Sequence, residues 1–463
     1  MNSTPVQLSE RIDRAIDQRH AHNSFRPAMS FLMDKRLAQF PDTDHLQDLR
    51  NRSAGIRAHA IAHLPELLQT LEQNLEKNNI QVHWAEDSEQ ANQIIAGILK
   101  QAKAKTVVKG KSMVSEEIGL NEYLIAQGIQ TLETDLGEYI IQLAGETPSH
   151  IVMPAIHKNR QEIAQLLHQH FPEFDYTEDV DQLTAQARVI LRKYFQQADA
   201  GISGVNFAVA QTGTLCLVEN EGNGRMCSSV PDLHIALTGI EKVVEKLSDV
   251  PPLLEMLTKS ATGQSITTYF NMISSPRREG EKDGPKALHL VLLDNGRSQI
   301  SVNEQTLDVL KCIRCGSCIN HCPVYVQLGG HAYGTTYPGP IGIALEPMKQ
   351  GVDRLGDLSE LCTLCGACAQ VCPVKIPLPT LINQLREDVV DSGNTSRLQS
   401  RAWRLWRWVY AHPRRYRLLT QLLTKLRFLT PSRIPGWSRY RILQKPANKS
   451  LSALAKSAGF THE

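Results

Sequence analysis

Two stretches decide the fold of the C-terminal part of this chain: CIRCGSCINHCP at 312–323 and CTLCGACAQVCP at 362–373. They use eight of the ten cysteines and share the spacing Cys-x2-Cys-x2-Cys-x3-Cys-Pro. Paired [4Fe–4S] clusters in two-cluster ferredoxins are held with this spacing. The repeat therefore predicts two [4Fe–4S] clusters and a role in electron transfer.

The fourth cysteine of each stretch predicts a ligand set that crosses between the two stretches. In two-cluster ferredoxins, the cysteine before proline binds the cluster of the other motif. A structural zinc site would not require this cysteine twice, and disulfides would imply a secreted protein. The predicted ligands are Cys312, Cys315, Cys318 and Cys372 for cluster 1, and Cys362, Cys365, Cys368 and Cys322 for cluster 2.

Length and composition indicate a soluble globular protein of two or three domains. The chain has 463 residues, of which 41% are apolar, and this suits sizeable cores. The N-terminus has no apolar secretory segment, and no apolar run reaches membrane-spanning length. Thiols kept ready for clusters add to the expectation of a cytoplasmic protein. The predicted regions are an N-terminal helical segment (1–44), an α/β domain (45–300), a ferredoxin domain (303–385) and a basic region (392–463).

Charge is divided unevenly along the chain. Residues 1–391 contain 35 Lys or Arg and 47 Asp or Glu, whereas residues 392–463 contain 15 Lys or Arg and one acidic residue, Glu463. The basic region also contains Trp403, Trp406 and Trp408 among its arginines. Docking to a protein partner or to the acidic body of the chain is the first interpretation. Peripheral contact with the inner face of a membrane is the second, and nucleic acid is not expected.

Strand-like and helix-like apolar patterns alternate between residues 80 and 300. This order predicts an α/β fold with a parallel sheet covered by helices. A single long helix is predicted before it, over residues 45–77. The predicted strands cover residues 80–85, 106–109, 129–134, 149–154, 204–210, 214–219, 234–238 and 288–293.

Three polar segments fall at predicted strand ends, where open α/β sheets bind ligands. The first contains a Gly-Lys-Ser sequence that lacks the earlier glycine of a Walker A loop. The second could bind a ligand or simply cap a helix through Asp135. The third is denser in polar residues than a turn requires. The candidate ligand-binding residues are Lys111, Ser112, Glu133, Asp135, Asn220, Asn223 and Arg225.

These segments and the cysteine repeat resemble one known family. GKSMVSEEIGLNEYL (110–124), ETDLGEYIIQLAGETPSHIVMPAIHK (133–158) and GTLCLVENEGNGRMCSSVPDLHIALTGIEK (213–242) are similar to lactate utilization protein B. The resemblance implies a LUD domain, similar in fold to the sugar-isomerase and CoA-transferase superfamily, followed by an α-helical ferredoxin domain. It implies electron transfer while L-lactate becomes pyruvate. The implied partners are a cysteine-rich CCG-domain subunit and a second, smaller LUD-domain protein.

Other functions stay open from the sequence. The chain shows no GxGxxG motif at a strand end, so no Rossmann flavin or nicotinamide site is predicted. The dehydrogenation is therefore expected on, or shared with, another subunit. The alternatives are a self-sufficient 2-hydroxy-acid oxidoreductase with its substrate in the LUD domain, and a redox-sensing iron–sulfur binding protein. Another 2-hydroxy acid, such as glycolate, could replace lactate.

Overall fold

The computed structural model describes residues 7–17, 19–393, 397–431, 433 and 443–460. The chain divides into two compact units, Met1–Val389 and Val390–Glu463. The first unit contains both the α/β sheet and the two cysteine stretches. The predicted α/β fold followed by a cluster domain is confirmed, and the two pack within one compact unit.

Ten strands form two sheets in the described residues of the first unit. They are β1 (Gln81–Ala85), β2 (Thr106–Lys109), β3 (Gln130–Glu133), β4 (Ala200–Gly204), β5 (Phe207–Val209), β6 (Thr214–Glu219), β7 (Leu233–Gly239), β8 (Val243–Val244), β9 (Tyr269–Ile273) and β10 (Ala287–Leu293). The larger sheet has the order β1-β10-β7-β4-β2-β3, and all its neighbouring strands are parallel. The smaller sheet has the order β8-β5-β6-β9. Because parallel strands end at the same edge, their carboxyl ends gather the polar segments.

Helices lie before the first strand and between the later strands. They are α1 (Leu8–Asp17), α2 (Arg19–Ala38), α3 (Thr43–Ala62), α4 (Leu64–Lys77), α5 (Ser88–Gln101), α6 (Met113–Glu117), α7 (Leu120–Ala126), α8 (Leu136–Ala144), α9 (Arg160–His170), α10 (Val180–Gln197), α11 (Asn223–Ser229) and α12 (Val250–Ala261). Val291 of β10 shares a core with Leu99 of α5. Leu290, the residue before Val291 on the same strand, shares a different core with Leu71 of α4. Successive side chains on a strand point to opposite faces, so helices cover the sheet on both sides.

Short helices carry the cysteine stretches. They are α13 (Arg297–Ser301), α14 (Ser317–Asn320), α15 (Pro323–Leu328), α16 (Gly339–Gln350), α17 (Val352–Leu355), α18 (Ala367–Val371) and α19 (Leu378–Asp391). One hydrophobic core contains Met29 of α2, Leu253 of α12, Ile319 of α14 and Ile343 of α16. The N-terminal helices and the α/β domain therefore pack directly on the cluster region.

The second unit contains α20 (Arg397–Tyr410), α21 (Pro413–Lys425) and α22 (Leu451–Ser457). Trp403, Trp406 and Trp408 are all more than half exposed on α20. None of the helices in the described part of the chain is long and apolar enough to cross a membrane. Residues 394–396, 432, 434–442 and 461–463 of the predicted basic region lie outside the described residues.

Three sequence-based expectations are wrong in detail. The long helix over 45–77 is two helices, because the chain turns at His63 and α4 begins at Leu64, with Pro65 in its first turn. The predicted strand at 149–154 is a closed loop, in which the Ser149 amide donates to the Pro154 carbonyl over 3.1 Å. The predicted strand at 204–210 is split, because β4 ends at Gly204 in the larger sheet and β5 begins in the smaller one.

Candidate functional site: a double thiol cluster beside a charged cavity

The eight motif cysteines gather into two groups of four. Cys372 interacts electrostatically with the first three cysteines of the first stretch. Cys322 interacts in the same way with the first three of the second stretch. The groups adjoin each other, since Cys318 also interacts with Cys368. The ligand set predicted from the spacing is compatible with these groups and stays a prediction.

Matching backbone turns shape the two cysteine loops. Arg314 and Leu364, each two residues after the first cysteine, have φ of 61° and 56°. Their amides donate to the sulfur of that cysteine, over 3.4 Å to Cys312 and 3.3 Å to Cys362. The glycine after the second cysteine of each stretch also has a positive φ. The sequence gave no sign of the left-handed conformation at Arg314 and Leu364.

The chemistry of the donor sets fits iron–sulfur clusters. Burial, together with neighbouring thiolates, raises the pKa of both Cys315 and Cys368 to about 12. Four ionised thiolates would repel one another here unless a positively charged core neutralised them. Among the described residues, no three His, Cys, Asp or Glu side chains converge on a single metal ion. A cubane needs no such convergence, because it takes its four thiolates at separate iron atoms.

Buried arginines from outside the motifs hold the cluster loops. Arg50 of α3 donates over 3.0 Å to the carbonyl oxygens of both Cys372 and Ala369. Arg36 of α2 donates to the carbonyl of Val371 over 3.2 Å. These side chains bring cationic charge beside the clusters and tie the N-terminal helices to the second stretch. Sequence reasoning missed them, because an arginine on an amphipathic helix is ordinarily a solvated residue.

A cavity of about 300 Å³ lies at the carboxyl ends of the central strands. Its walls include the segment after β2, the end of β4 and the segment after β6. Five of the predicted ligand-binding residues line it: Lys111, Ser112, Asp135, Asn220 and Asn223. Two of these have evident structural roles as well, since Ser112 caps α6 and Asp135 caps α8.

The other two predicted residues do not line the cavity. Glu133 is buried and pairs with Lys109 over 2.6 Å, while Lys109 also pairs with Glu116 over 3.0 Å. Burial raises the pKa of the adjacent Glu138. Arg225 is exposed and lies over the ring of Tyr269. The geometry gives Glu133 a place in a buried ion-pair cluster and Arg225 a place on the surface.

The opposite wall of the cavity comes from residues that sequence reasoning did not select. Arg314 lies between Cys312 and Cys315 and also lines the cavity, together with Tyr337 and Lys242. Its guanidinium lies 4.3 Å from the ring centre of Tyr337 and 3.4 Å from a carboxylate oxygen of Glu241. Lys242 donates to the Cys312 carbonyl over 3.4 Å. The cavity therefore directly adjoins the loop of the first cysteine stretch.

Three known sequence families match successive parts of the chain. The LUD domain matches residues 68–293, and the 4Fe-4S dicluster domain matches residues 308–376. The C-terminal domain of lactate utilisation protein B matches residues 383–459. Lactate utilization protein B of Bacillus subtilis (strain 168) is 42% identical over 385 residues, which cover 83% of this chain and 80% of the relative. The chain belongs to the lactate utilization protein B family.

Two further relatives are similar over most of the chain. Lactate utilization protein B of Oceanobacillus iheyensis is 39% identical and covers 97% of this chain and 95% of its own. An Escherichia coli (strain K12) relative, named uncharacterized electron transport protein YkgF, is 41% identical over 89% of this chain and 86% of its own. A crystal structure of a DUF162 family protein from Deinococcus radiodurans covers 50% of this chain and 98% of its own, at 15% identity and a TM-score of 0.28. This family member thus combines a LUD domain with an iron–sulfur domain, in keeping with lactate utilization and electron transfer.

A buried ionic network joins the LUD domain of this family member to its iron–sulfur domain. Arg297 donates to both carboxylate oxygens of Glu117, over 2.9 and 2.8 Å, and to Glu241 over 2.6 Å. Lys349 and Tyr337 of the iron–sulfur domain also contact Glu117, at 2.5 and 2.9 Å. Burial alone would raise the pKa of Glu241, but Arg297 and other nearby cations lower it to about 2. Both carboxylates are therefore ionised and held between the domains.

Proposed function

We propose that this chain is the electron-transfer subunit of a complex that oxidises L-lactate to pyruvate and so allows growth on lactate. The observation that carries the proposal is the pair of adjoining, crossed thiol groups. Oxidation of lactate releases two electrons, and two [4Fe–4S] clusters can accept them one at a time. The proposed ligands are Cys312, Cys315, Cys318 and Cys372 for cluster 1, and Cys362, Cys365, Cys368 and Cys322 for cluster 2.

The crossed ligand assignment has a direct test. Replacing Cys372 with Ser should damage the same cluster as replacing Cys315, because both serve cluster 1. The electron paramagnetic resonance (EPR) spectrum of the reduced Cys372→Ser chain should therefore match that of Cys315→Ser. A spectrum matching that of Cys365→Ser would show that each cysteine stretch holds its own cluster.

The proposed partners are a CCG-domain subunit and a second LUD-domain subunit, which would carry or share the dehydrogenation. Cluster 2 suits electron exchange with such a partner, because Cys365 is exposed and Leu364 beside it is 39% exposed. Cys315 and Cys318 of cluster 1 are buried or half-buried. Electrons would then pass between the partner and the clusters at the Cys365 surface.

We also propose a cytoplasmic location, because the thiols must stay reduced to receive clusters. The basic region with its exposed Trp403, Trp406 and Trp408 suits docking to a partner, or peripheral contact with anionic lipid. Sedimentation of the full chain with phosphatidylserine vesicles, compared with phosphatidylcholine vesicles, separates these two interpretations. Binding to the anionic vesicles alone would favour the membrane, and no binding to either would favour the partner.

Growth tests the proposed function. A strain of the source bacterium lacking this gene should fail to grow on L-lactate but should still grow on pyruvate. The wild-type gene should restore growth on lactate, and the Cys372→Ser gene should not. Restoration by a Cys372→Ser chain shown to lack its cluster would contradict an electron-transfer role.

The self-sufficient oxidoreductase is the second candidate, and the cavity beside the Cys312 loop favours it. It differs from the first in one measurable respect. Under this alternative, L-lactate would reduce the clusters of the isolated chain, whereas the relay function requires a partner for that reduction.

A further inference from the structure

We propose that the cavity between the LUD domain and the Cys312 loop binds a small monocarboxylate carrying a 2-hydroxy or 2-oxo group, with Arg314 as the carboxylate anchor. The anion site stands on the geometry alone. The 2-hydroxy or 2-oxo class rests on the proposed function. Nothing in the fold or in the cysteine motif requires a ligand at this place, so the site is a separate inference.

The hydrogen bonding of the Arg314 side chain is incomplete. Its side chain is only 11% exposed and lines the cavity. One end of the guanidinium reaches Glu241, but the buried Nη1 atom has no hydrogen-bond partner within the described residues. A buried guanidinium nitrogen without an acceptor is costly. The Arg314 side chain lines the cavity, and carboxylates match the planar donors of arginine.

The other cations on the cavity wall already have hydrogen-bond partners. Lys111 donates to the Val152 carbonyl over 2.6 Å. Lys242 donates to the Cys312 carbonyl over 3.4 Å. Both lysines leave part of their ammonium group for a ligand, but Arg314 alone among these three has a wholly unpaired nitrogen in the described structure. The anchor is therefore best assigned to Arg314, with the lysines as supporting charges.

The acidic residues of the cavity wall limit the charge that a ligand can carry. Glu219 accepts the Arg225 amide over 2.7 Å, and Glu221 accepts the Leu136 amide over 3.0 Å. These carboxylates are fixed by backbone donors and stay in the wall. Together with Asp135 they place negative charge on the same wall as the cations, so a doubly charged anion would meet repulsion. A monoanion fits this arrangement of charge better than a phosphate ester.

The size and the polar lining fit a short hydroxy acid. A cavity of about 300 Å³ is at the small end of ligand pockets. Ser112, Ser203 and Thr258 also line it, and the Ser112 hydroxyl, which accepts the Ser115 amide, can donate to a second oxygen of the ligand. Because Arg314 lies between two proposed ligands of cluster 1, the bound acid would lie beside that cluster.

Anaerobic calorimetry on the cluster-loaded full chain tests the site, with pyruvate, L-lactate and inorganic phosphate as probes. We expect pyruvate or L-lactate to bind at concentrations below about 10 mM and to change the EPR line shape of one cluster. Phosphate should not compete. Absence of binding by both acids, or equal competition by phosphate, would overturn the proposal.

Variants locate the binding. Arg314→Gln should weaken binding at least about 30-fold, because it removes the anchoring charge, and Arg314→Lys should restore part of it. Ala261→Leu narrows the cavity from α12 and should also weaken binding. Arg225→Gln is the matched control, since Arg225 is exposed and does not line the cavity. Iron and sulfide content of each variant shows whether its clusters are intact.

The outcomes separate this proposal from the proposed function. Unchanged binding in Ala261→Leu and in a cluster-loaded Arg314→Gln chain would refute the site. If Arg314→Gln fails to load its clusters, Ala261→Leu decides alone. Reduction of the clusters by L-lactate in the partner complex, without binding to the isolated chain, would refute the site and leave the function standing. Binding of L-lactate to the isolated chain, without reduction of the clusters in the partner complex, would support the site and contradict the proposed function.

Discussion

The buried ionic network gives the most quantitative prediction, through the replacement Arg297→Met. Arg297 is 1% exposed and pairs with two carboxylates, Glu117 and Glu241. Removing one member of a buried ion pair costs about 3–5 kcal/mol, because the remaining charge is left uncompensated. The cost is not doubled here, since Lys349 still contacts Glu117 and Arg314 still contacts Glu241. We expect the free energy of unfolding to fall by about 3–5 kcal/mol.

Anaerobic urea denaturation of the full chain, followed by circular dichroism, measures this change. The matched control is Lys286→Met, which breaks the Lys286–Asp232 pair at 2.7 Å on the surface, where both side chains are more than 60% exposed. That control should lose no more than about 1 kcal/mol. The difference between the two variants isolates the effect of burial on an ion pair of similar length.

A third variant tests the cause of the loss. If the lost charge is responsible, Arg297→Lys, which keeps the positive charge, should lose less stability than Arg297→Met. If the loss came only from the packing of the arginine side chain, the two variants would lose about the same. A loss below about 1 kcal/mol in Arg297→Met itself would refute the reasoning.

Further predictions concern the larger sheet and α5, a helix that covers it. Burial lowers the pKa of His234 to about 3, so between this value and the unfolded pKa near 6.5 only the unfolded state takes up the proton, and stability falls as the pH falls. From about pH 7.5 to about pH 5.5 the wild type should lose about 1.4 kcal/mol more than His234→Asn in urea denaturation; parallel curves would contradict this. Gly201→Ala would place a methyl group 1.8 Å from a backbone oxygen of α11 and should cost about 1–3 kcal/mol. Gly97→Ala on α5 meets no atom within 4 Å and should stabilise the chain by about 0.5–1 kcal/mol; equal melting temperatures for the two variants would contradict both estimates.

Much of the fold could be predicted from local pattern. The apolar run at 288–293 is a central strand of a parallel sheet, as expected for a segment buried on both faces. The loop at 149–154 could not be predicted, because its form depends on His150, whose ring accepts the amides of Val152 and Met153. An apolar sequence alone does not reveal such a side-chain acceptor.

Part of the candidate site could likewise be predicted from the local sequence, and part of it depends on long-range contacts. Cysteine spacing is local, so all eight predicted cysteines lie in the two thiol groups. The polar segments at strand ends also reached the cavity, through Lys111 and Asn223 among others. Arg314 and Lys242 were missed, because their role arises only when the Cys312 loop packs on the LUD domain. That packing is a long-range contact with no sequence signature.

The measurement that tests the central claim most directly is EPR of the tagged chain, purified anaerobically from lactate-grown cells, before and after addition of L-lactate. The account predicts that lactate reduces both clusters when partner subunits co-purify, and neither cluster when the partners have been removed. Clusters that stay oxidised in the complete complex while lactate is converted to pyruvate would contradict it.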